Sequence, residues 1–282
     1  MEAVSSAPKL GIVAGGGDLP VRLIETARAA GRAFHVLAIK GQADLALGDD
    51  IPHDWLRLGA AGAAIELLRA TGCREIVFAG RIRRPSLGAL MPDARTAKVL
   101  AKLAGRALGD DGLLRAVIAE FEAEGFRVVG ADDVLGDLVM PAGQLGSRAP
   151  DETAAADIGL GIRVARAIGA LDIGQAVVVQ QGVVLGLEAA EGTDALIERC
   201  GALRREGAGG VLVKVKKPEQ ERRVDLPTIG PRTVALAAAA GLRGIAIEAS
   251  QALLVDRERT IAEADRLGLF IVGFVGDGEM AR

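Results

Sequence analysis

The chain has 282 residues, half of them apolar and a quarter charged, with a formal net charge of −3. That is room for two domains of ordinary size, and the acidic balance argues against general nucleic-acid binding. No apolar run reaches spanning length, the start MEAVSSAPKLGIV lacks a signal-peptide pattern, and Cys73 and Cys200 are too few for a disulfide framework, so a reduced cytosolic compartment fits. There is no Tyr and a single Trp, Trp55. The cores must be built from Val, Leu, Ile and Ala, which suits parallel sheets covered by helices.

Residues 9–14 read as a first strand, followed at once by Gly15, Gly16 and Gly17, then Asp18, Leu19 and Pro20 and a helix to about residue 30. A second strand follows at 34–39. This β-Gly-rich-α unit fits the dinucleotide fingerprint poorly. Pro20 stands where the third glycine belongs, and Lys40 stands where an acid would close the second strand. The turn reads either as a nucleotide or sugar-nucleotide site or as a tight turn alone. A helix over 59–70 leads to a strand at 75–79. Its carboxyl end carries Gly80, Arg81, Arg83 and Arg84, so Arg81 is a candidate phosphate or uracil contact, against an ordinary basic turn. Helices are expected over 93–108 and 110–124. On the first, Lys98, Lys102 and Arg106 recur every four residues beside Leu100, Leu103 and Leu108, a face that suits an anionic membrane or, more commonly, open solvent. A strand at 127–129 closes this half, and residues 132–150 read as an interdomain linker.

The second half opens with a helix over 152–168 and a hairpin, 176–180 and 183–187, about Gln181-Gly182. Thr193 or Asp194 is placed to cap a helix running to about residue 205. Glu188 and Glu191 lie just before that cap, where they could bind a hard cation or simply complement the helix dipole. The stretch 211–234 follows. It begins as a strand, passes through a loop holding Lys216, Lys217, Glu219, Glu221, Arg222 and Arg223 around the carboxylate Asp225, and ends at Gly230 and Pro231, the start of an Ala-rich helix. Strands at 244–247, 252–255 and 270–275 and a helix over 256–267 complete the chain. The expected fold is α/β: a Rossmann-like open parallel sheet in residues 1–131, then an α/β domain with a mixed sheet in residues 151–282.

Neither half shows a G-x-S-x-G, an H-E-x-x-H, a Walker loop or a metal-spaced Cys/His cluster, and His35 and His53 are the only histidines. Chemistry must therefore rest on carboxylates and cations, with or without a metal. Phosphoryl transfer uses that set most naturally, because charge stabilisation and positioning dominate it.

Five stretches carry a family resemblance: KLGIVAGGGDLP, VFAGRIRRPSL, VVVQQGVVLGLEAAEGTDALI, VLVKVKKPEQERRVDLPTIGPRTV and GIAIEASQALLVDRE. Over nearly its full length the chain resembles the Mg2+-dependent UDP-2,3-diacylglucosamine pyrophosphatases of lipid A synthesis, the family unrelated to the calcineurin-like metallophosphoesterases. The resemblance implies cleavage of UDP-2,3-diacylglucosamine to UMP and 2,3-diacylglucosamine 1-phosphate (lipid X), by water directed at the β-phosphate. It also implies a homodimer and an essential acid in V-D-L-P-T-I-G, here Asp225. The expected catalytic group is Asp225 together with cations close to it in sequence, Lys214, Arg222 and Arg223. Asp225 would hold Mg2+ or orient the attacking water, with Glu188 and Glu191 as further candidate ligands. Substrate contacts are expected at Gly15, Gly16, Gly17, Asp18, Leu19, Gln42, Gly80 and Arg81 in the first half. In the second they are expected at Gln180, Thr193, Lys216, Thr228, Gly230 and Arg232. The expected location is the cytoplasm, with peripheral contact at the inner membrane allowed by the two acyl chains of substrate and product. Two other readings stand beside this one: a Rossmann-type oxidoreductase, and a non-catalytic two-lobed binder of a sugar nucleotide or lipid.

Overall fold

The structure, a computed structural model, describes residues 7–82, 91–103, 110–136, 138–218, 221–223, 226–276 and 279–280. It divides into two compact units, Met1–Gly136 with Glu221–Val224, and Asp137–Gln220 with Asp225–Arg282.

The first unit runs β1 (Leu10–Ala14), α1 (Leu19–Ala29), β2 (Phe34–Ile39), β3 (His53–Leu56), α2 (Ala61–Ala70), β4 (Glu75–Ala79), α3 (Ala94–Leu103), α4 (Asp110–Ala123), β5 (Arg127–Val128) and α5 (Ala131–Leu135). Among the described residues its strands form one sheet in the order β3-β2-β1-β4-β5, every pair parallel. Strands buried on both faces read as continuous apolar runs. Accordingly every residue of β2 is buried, including His35, whose Nε2 lies 2.9 Å from a carboxylate oxygen of Asp54. That contact explains a polar ring in the sheet interior. It also joins β2 to β3, a strand of His-Asp-Trp-Leu that carries no apolar run and is not legible in the sequence. Phe121 packs edge-on against Phe78 and beside Phe126, closing α4 onto the sheet. On α3, Val99 is buried and Lys98 exposed. Arg106 and Leu108, and the side chains of Lys102 and Leu103, lie outside the described residues.

The second unit runs β6 (Gly143–Leu145), α6 (Glu152–Ala170), β7 (Ala176–Gln180), β8 (Val183–Leu187), α7 (Gly192–Ala202), β9 (Val211–Lys214), β10 (Thr228–Ile229), α8 (Pro231–Ala239), β11 (Gly244–Glu248), β12 (Leu253–Leu254), α9 (Arg257–Leu267), β13 (Phe270–Val275) and β14 (Glu279–Met280). Its main sheet has the order β14-β13-β11-β9-β7-β8, with β6 also paired to β13. β9, β11 and β13 are mutually parallel, while β6, β7, β8 and β14 join antiparallel, so the sheet is mixed. β10 and β12 form a separate parallel pair.

Strand periodicity sorts this core into two layers. Val177, Val179, Val211 and Val213 face α6 through Ala154, Ile158, Ile162 and Ala165. Their neighbours Val178 and Leu212 face the other way, toward Leu196 and Ile197 of α7 and Val234 and Ala237 of α8. Gly161 lets α6 approach β9, since a Cβ there would stand 2.5 Å from a methyl of Val213. The segment 132–150, read from the sequence as a linker, carries most of α5 and all of β6. β6 is hydrogen-bonded in register along β13, Leu145 opposite Ile271. Among the described residues, no helix is long and apolar enough to cross a membrane.

Candidate active site

In the first unit, the sequence-predicted contacts gather at the carboxyl edge of the parallel sheet. The chain runs outward in both directions from β1, to β2 on one side and β4 on the other, and that reversal point is where open α/β sheets take ligands. Gly15 follows β1 and donates its N–H to the Ala79 carbonyl at 2.8 Å. Gly16 and Arg81 exchange two backbone hydrogen bonds, of 3.0 and 2.8 Å. Gly17, at φ +96°, donates to a carboxylate oxygen of Asp44 at 2.9 Å. The glycines are required by these approaches. A Cβ on Gly15 would meet the Arg81 carbonyl oxygen at 2.5 Å, one on Gly16 the Gln42 carbonyl at 2.8 Å, and one on Gly80 the Gly16 carbonyl at 2.7 Å. Gly15, Gly16, Gly17, Gln42, Gly80 and Arg81 thus meet in one place. Asp18 is exposed at the cap of α1 and makes no capping bond, and Leu19 is half-buried beside it. All three glycine N–H groups are engaged within the protein, so the turn is not a free cradle for phosphate oxygens. Asp44, five residues beyond the end of β2, was not singled out from the sequence, because the fingerprint places its acid at the strand end itself.

In the second unit, contacts link residues end to end around the carboxyl end of β9. Lys214 closes that strand 4% exposed, and its ammonium donates to the Thr228 carbonyl at 3.1 Å. Val215 donates to the Gln175 carbonyl at 3.0 Å, and Gln175 in turn donates its N–H to Glu188 Oε2 at 3.0 Å. The hydroxyl of Thr193 donates to Glu188 Oε1 at 2.6 Å, so Thr193 does not cap α7, and Glu191 holds the cap position. Next along, Asp194 in the first turn of α7 accepts from Arg232 in the first turn of α8 at 3.2 Å. Gly230 caps α8, with Pro231 opening it as expected, and lies two residues beyond Thr228. Two helix N-termini and a buried ammonium therefore face one strand edge, an arrangement that favours negative charge. Lys216 is half-buried there, and its backbone N–H donates to Glu248 Oε2 at 3.0 Å.

Other predicted residues lie elsewhere. Gln180 is at the opposite end of β7, whose start, Ala176, is the residue opposite Lys214. It is 0% exposed, and its amide bonds the Arg205 and Ala208 carbonyls and the Arg205 N–H. Arg222 pairs with Asp132 at 3.2 Å, and Arg223 pairs with Glu221 and with Glu122, all within the first unit. Those bonds to Glu221 and Glu122 raise the Arg223 pKa further above its ordinary value. Lys217 is buried against Asp172 at 2.7 Å. Adjacency in sequence suggested one cationic field, but each of these guanidinium groups, and Lys217, is balanced by a carboxylate of its own. Asp225 lies outside the described residues.

As metal ligands, Glu188 and Glu191 do not suit a hard cation. Both oxygens of Glu188, a residue only 6% exposed, already accept protein hydrogen bonds, and Glu191 is paired with Arg199 at 2.9 Å. Its carboxyl lies below the ordinary range, held there by its own backbone N–H and by Arg199 against the upward push of burial. Among the described residues, no group of three His, Cys, Asp or Glu side chains is placed to hold a metal ion. Glu248 and Gln175 were not assigned from the sequence to this edge. The one is a lone acid at a strand end, and the other reaches the site only through pairing.

Fold and edge together define a two-unit α/β protein with a Rossmann-ordered sheet in one unit and a cation-bearing strand edge in the other. Residues 9–138 match the LpxI N-terminal domain, and residues 141–272 match the LpxI C-terminal domain. The UDP-2,3-diacylglucosamine pyrophosphatase LpxI of Caulobacter vibrioides is 51% identical over 272 residues, which cover 94% of this chain and 97% of that one. The chain belongs to the LpxI family. Two solved structures bear a distant likeness to the chain. CobK precorrin-6A reductase is 11% identical over 98% of this chain and 90% of its own, with a TM-score of 0.34. N5-carboxyaminoimidazole synthetase from Staphylococcus aureus is 15% identical over 64% and 41%, with a TM-score of 0.20. Likeness at that level carries no argument about function.

Proposed function

We propose that this protein hydrolyses the pyrophosphate bond of UDP-2,3-diacylglucosamine, releasing UMP and 2,3-diacylglucosamine 1-phosphate in lipid A synthesis. The observation that carries this is the 51% identity, over nearly the whole of both chains, to a protein of that activity. The β9 edge supports it physically. Water adds to the β-phosphorus, the bond from that phosphorus to the bridging oxygen breaks, and UMP leaves with the bridging oxygen and its developing charge. Fixed cations and helix N-termini stabilise such charge without reorganising as it forms. Lys214 and Lys216, with the starts of α7 and α8, are the groups assigned to that work, and Thr228, Gly230 and Thr193 to orienting the phosphates.

Asp225 is assigned to orient the attacking water or to hold Mg2+. Mg2+ usually keeps several waters and takes one or two carboxylates plus substrate phosphate oxygens, so a single aspartate with the pyrophosphate is a sufficient donor set. Such an ion, when bound, neutralises charge on the phosphates. Arg222 and Arg223, paired as they are, are assigned to holding the segment before Asp225 rather than to the phosphates. The protein is further proposed to act in the cytoplasm as a homodimer, with peripheral contact at the inner membrane, because substrate and product both carry two acyl chains.

The test is UMP release from UDP-2,3-diacylglucosamine, with and without Mg2+, by the wild type beside Asp225→Ala. Metal-dependent release that falls at least a hundredfold in the variant is expected. Absence of UMP from the wild type under any divalent metal, or undiminished turnover by Asp225→Ala, would overturn the assignment.

A further inference from the structure

β9 ends at Lys214, so the sheet offers no strand partner to the backbone N–H of Lys216. That donor is taken instead by the carboxylate of Glu248, the last residue of β11. β11 lies in parallel register with β9, Ile247 opposite Lys214, which brings Glu248 to the level of the residues just leaving β9. The other carboxylate oxygen of Glu248 lies 3.5 Å from the guanidinium of Arg166 on α6. Arg166 also donates to the Gly276 carbonyl, just past β13, at 2.7 Å. One half-buried carboxylate thus ties the ends of β9, β11 and β13 to α6 and fixes the backbone of Lys216. Among the described residues, no carboxylate pairs with the Lys216 ammonium itself.

We infer that Glu248 is a positioning residue for the pyrophosphate-cleaving edge, holding the Lys216 backbone so that its ammonium meets the developing phosphate charge. The inference rests on the function proposed above. A carboxylate so close to a phosphate site would otherwise repel substrate. Here its charge is turned toward Arg166 and a backbone N–H, so its effect is geometric. Displacing a charged group by about 1 Å from its place in the transition state costs on the order of a hundredfold in rate. Loss of an orienting contact therefore belongs in kcat more than in KM.

Two variants and two readouts test this. Glu248→Ala removes the acceptor, whereas Glu248→Gln keeps an oxygen for the Lys216 N–H and loses only the charge. UMP release is measured as separate kcat and KM, and exchange of the Lys216 amide proton is followed in each full-length protein. The expected result is a kcat about ten- to a hundredfold lower in Glu248→Ala with KM within about threefold, recovery to within about threefold in Glu248→Gln, and faster Lys216 exchange in the alanine variant only. Wild-type kcat in Glu248→Ala would overturn the inference. So would equal loss in both variants with the Lys216 amide still protected, which would mean that the charge itself acts. If Glu248→Ala does not fold, a Glu248→Gln protein with protected Lys216 and a kcat more than tenfold down overturns it in the same way, and near-normal kcat supports it. If the wild type releases no UMP, the proposed function fails by itself, and Lys216 exchange still decides whether Glu248 holds the loop.

Discussion

Gln180 spends both amide hydrogens on the Arg205 and Ala208 carbonyls and accepts the Arg205 N–H, wholly out of solvent. It clamps the loop between α7 and β9. Gln180→Ala should lower unfolding stability by about 1–3 kcal/mol, the cost of leaving buried polar groups unpaired, and leave KM within about twofold. Thermal unfolding and steady-state kinetics check this together, and a large rise in KM would return Gln180 to the substrate site. Its polarity at a strand end was visible in the sequence, but its partners come from a loop twenty-five residues away. Lys214 is the opposite case. It reads as one of the alternating polar residues of a strand, and the fold makes it a buried cation bonded to the start of β10. Arg222 and Arg223 show why a run of charge is weak evidence for a site, since Asp132, Glu122 and Glu221 neutralise them.

At the level of elements, one carboxylate organises two helix starts in the first unit. Asp93 accepts the Thr96 N–H of α3 at 2.8 Å and the Gly62 N–H of α2 at 2.7 Å, while the Thr96 hydroxyl accepts the Ala61 N–H at 3.2 Å. Burial pushes the Asp93 carboxyl up, but the bonds from Thr96 and Gly62 outweigh it and hold the group below its ordinary range. A lowered folded pKa means that this stabilisation is complete above the ordinary carboxylate pKa. It is lost as pH falls through the folded value. Asp93→Ala should therefore cost about 1–2 kcal/mol at neutral pH, and the gap to the wild type should close in acid. Unfolding midpoints measured across pH test this; a gap that widened in acid would be the wrong sign. Elements with strong periodicity were legible. β2, β4, β7, β8 and β13 fall on the residues expected, and Gly230 and Pro231 open α8 as read. β3, β6, β10 and β14 escaped because each has only two to four residues, too few to show a period.

For the whole molecule, the chain crosses between units more than once, since Glu221–Val224 belongs with Met1–Gly136. The returning segment contributes surface ion pairs, Arg222 with Asp132 and Arg223 with Glu122, of the kind worth about 0–1 kcal/mol each. Among the described residues, the parallel sheet and its apolar core draw no member from it. Residues 1–136 expressed alone should therefore fold, with a cooperative thermal transition by circular dichroism only a few degrees below that of Arg222→Ala/Arg223→Ala in the full chain. A fragment without such a transition would show that the segment matters far beyond its ion pairs. The α/β class, most strands and helices, the glycine turn and the family could all be read from the chain alone. These follow from local periodicity, turn chemistry and contiguous motifs, all written in consecutive residues. Which charges are balanced, that all three glycine N–H groups are engaged, and that Glu248 takes the Lys216 N–H became visible in the folded chain. Apart from the local Arg223–Glu221 pair, those are contacts between segments far apart in the chain, set by strand order and register rather than by any local pattern.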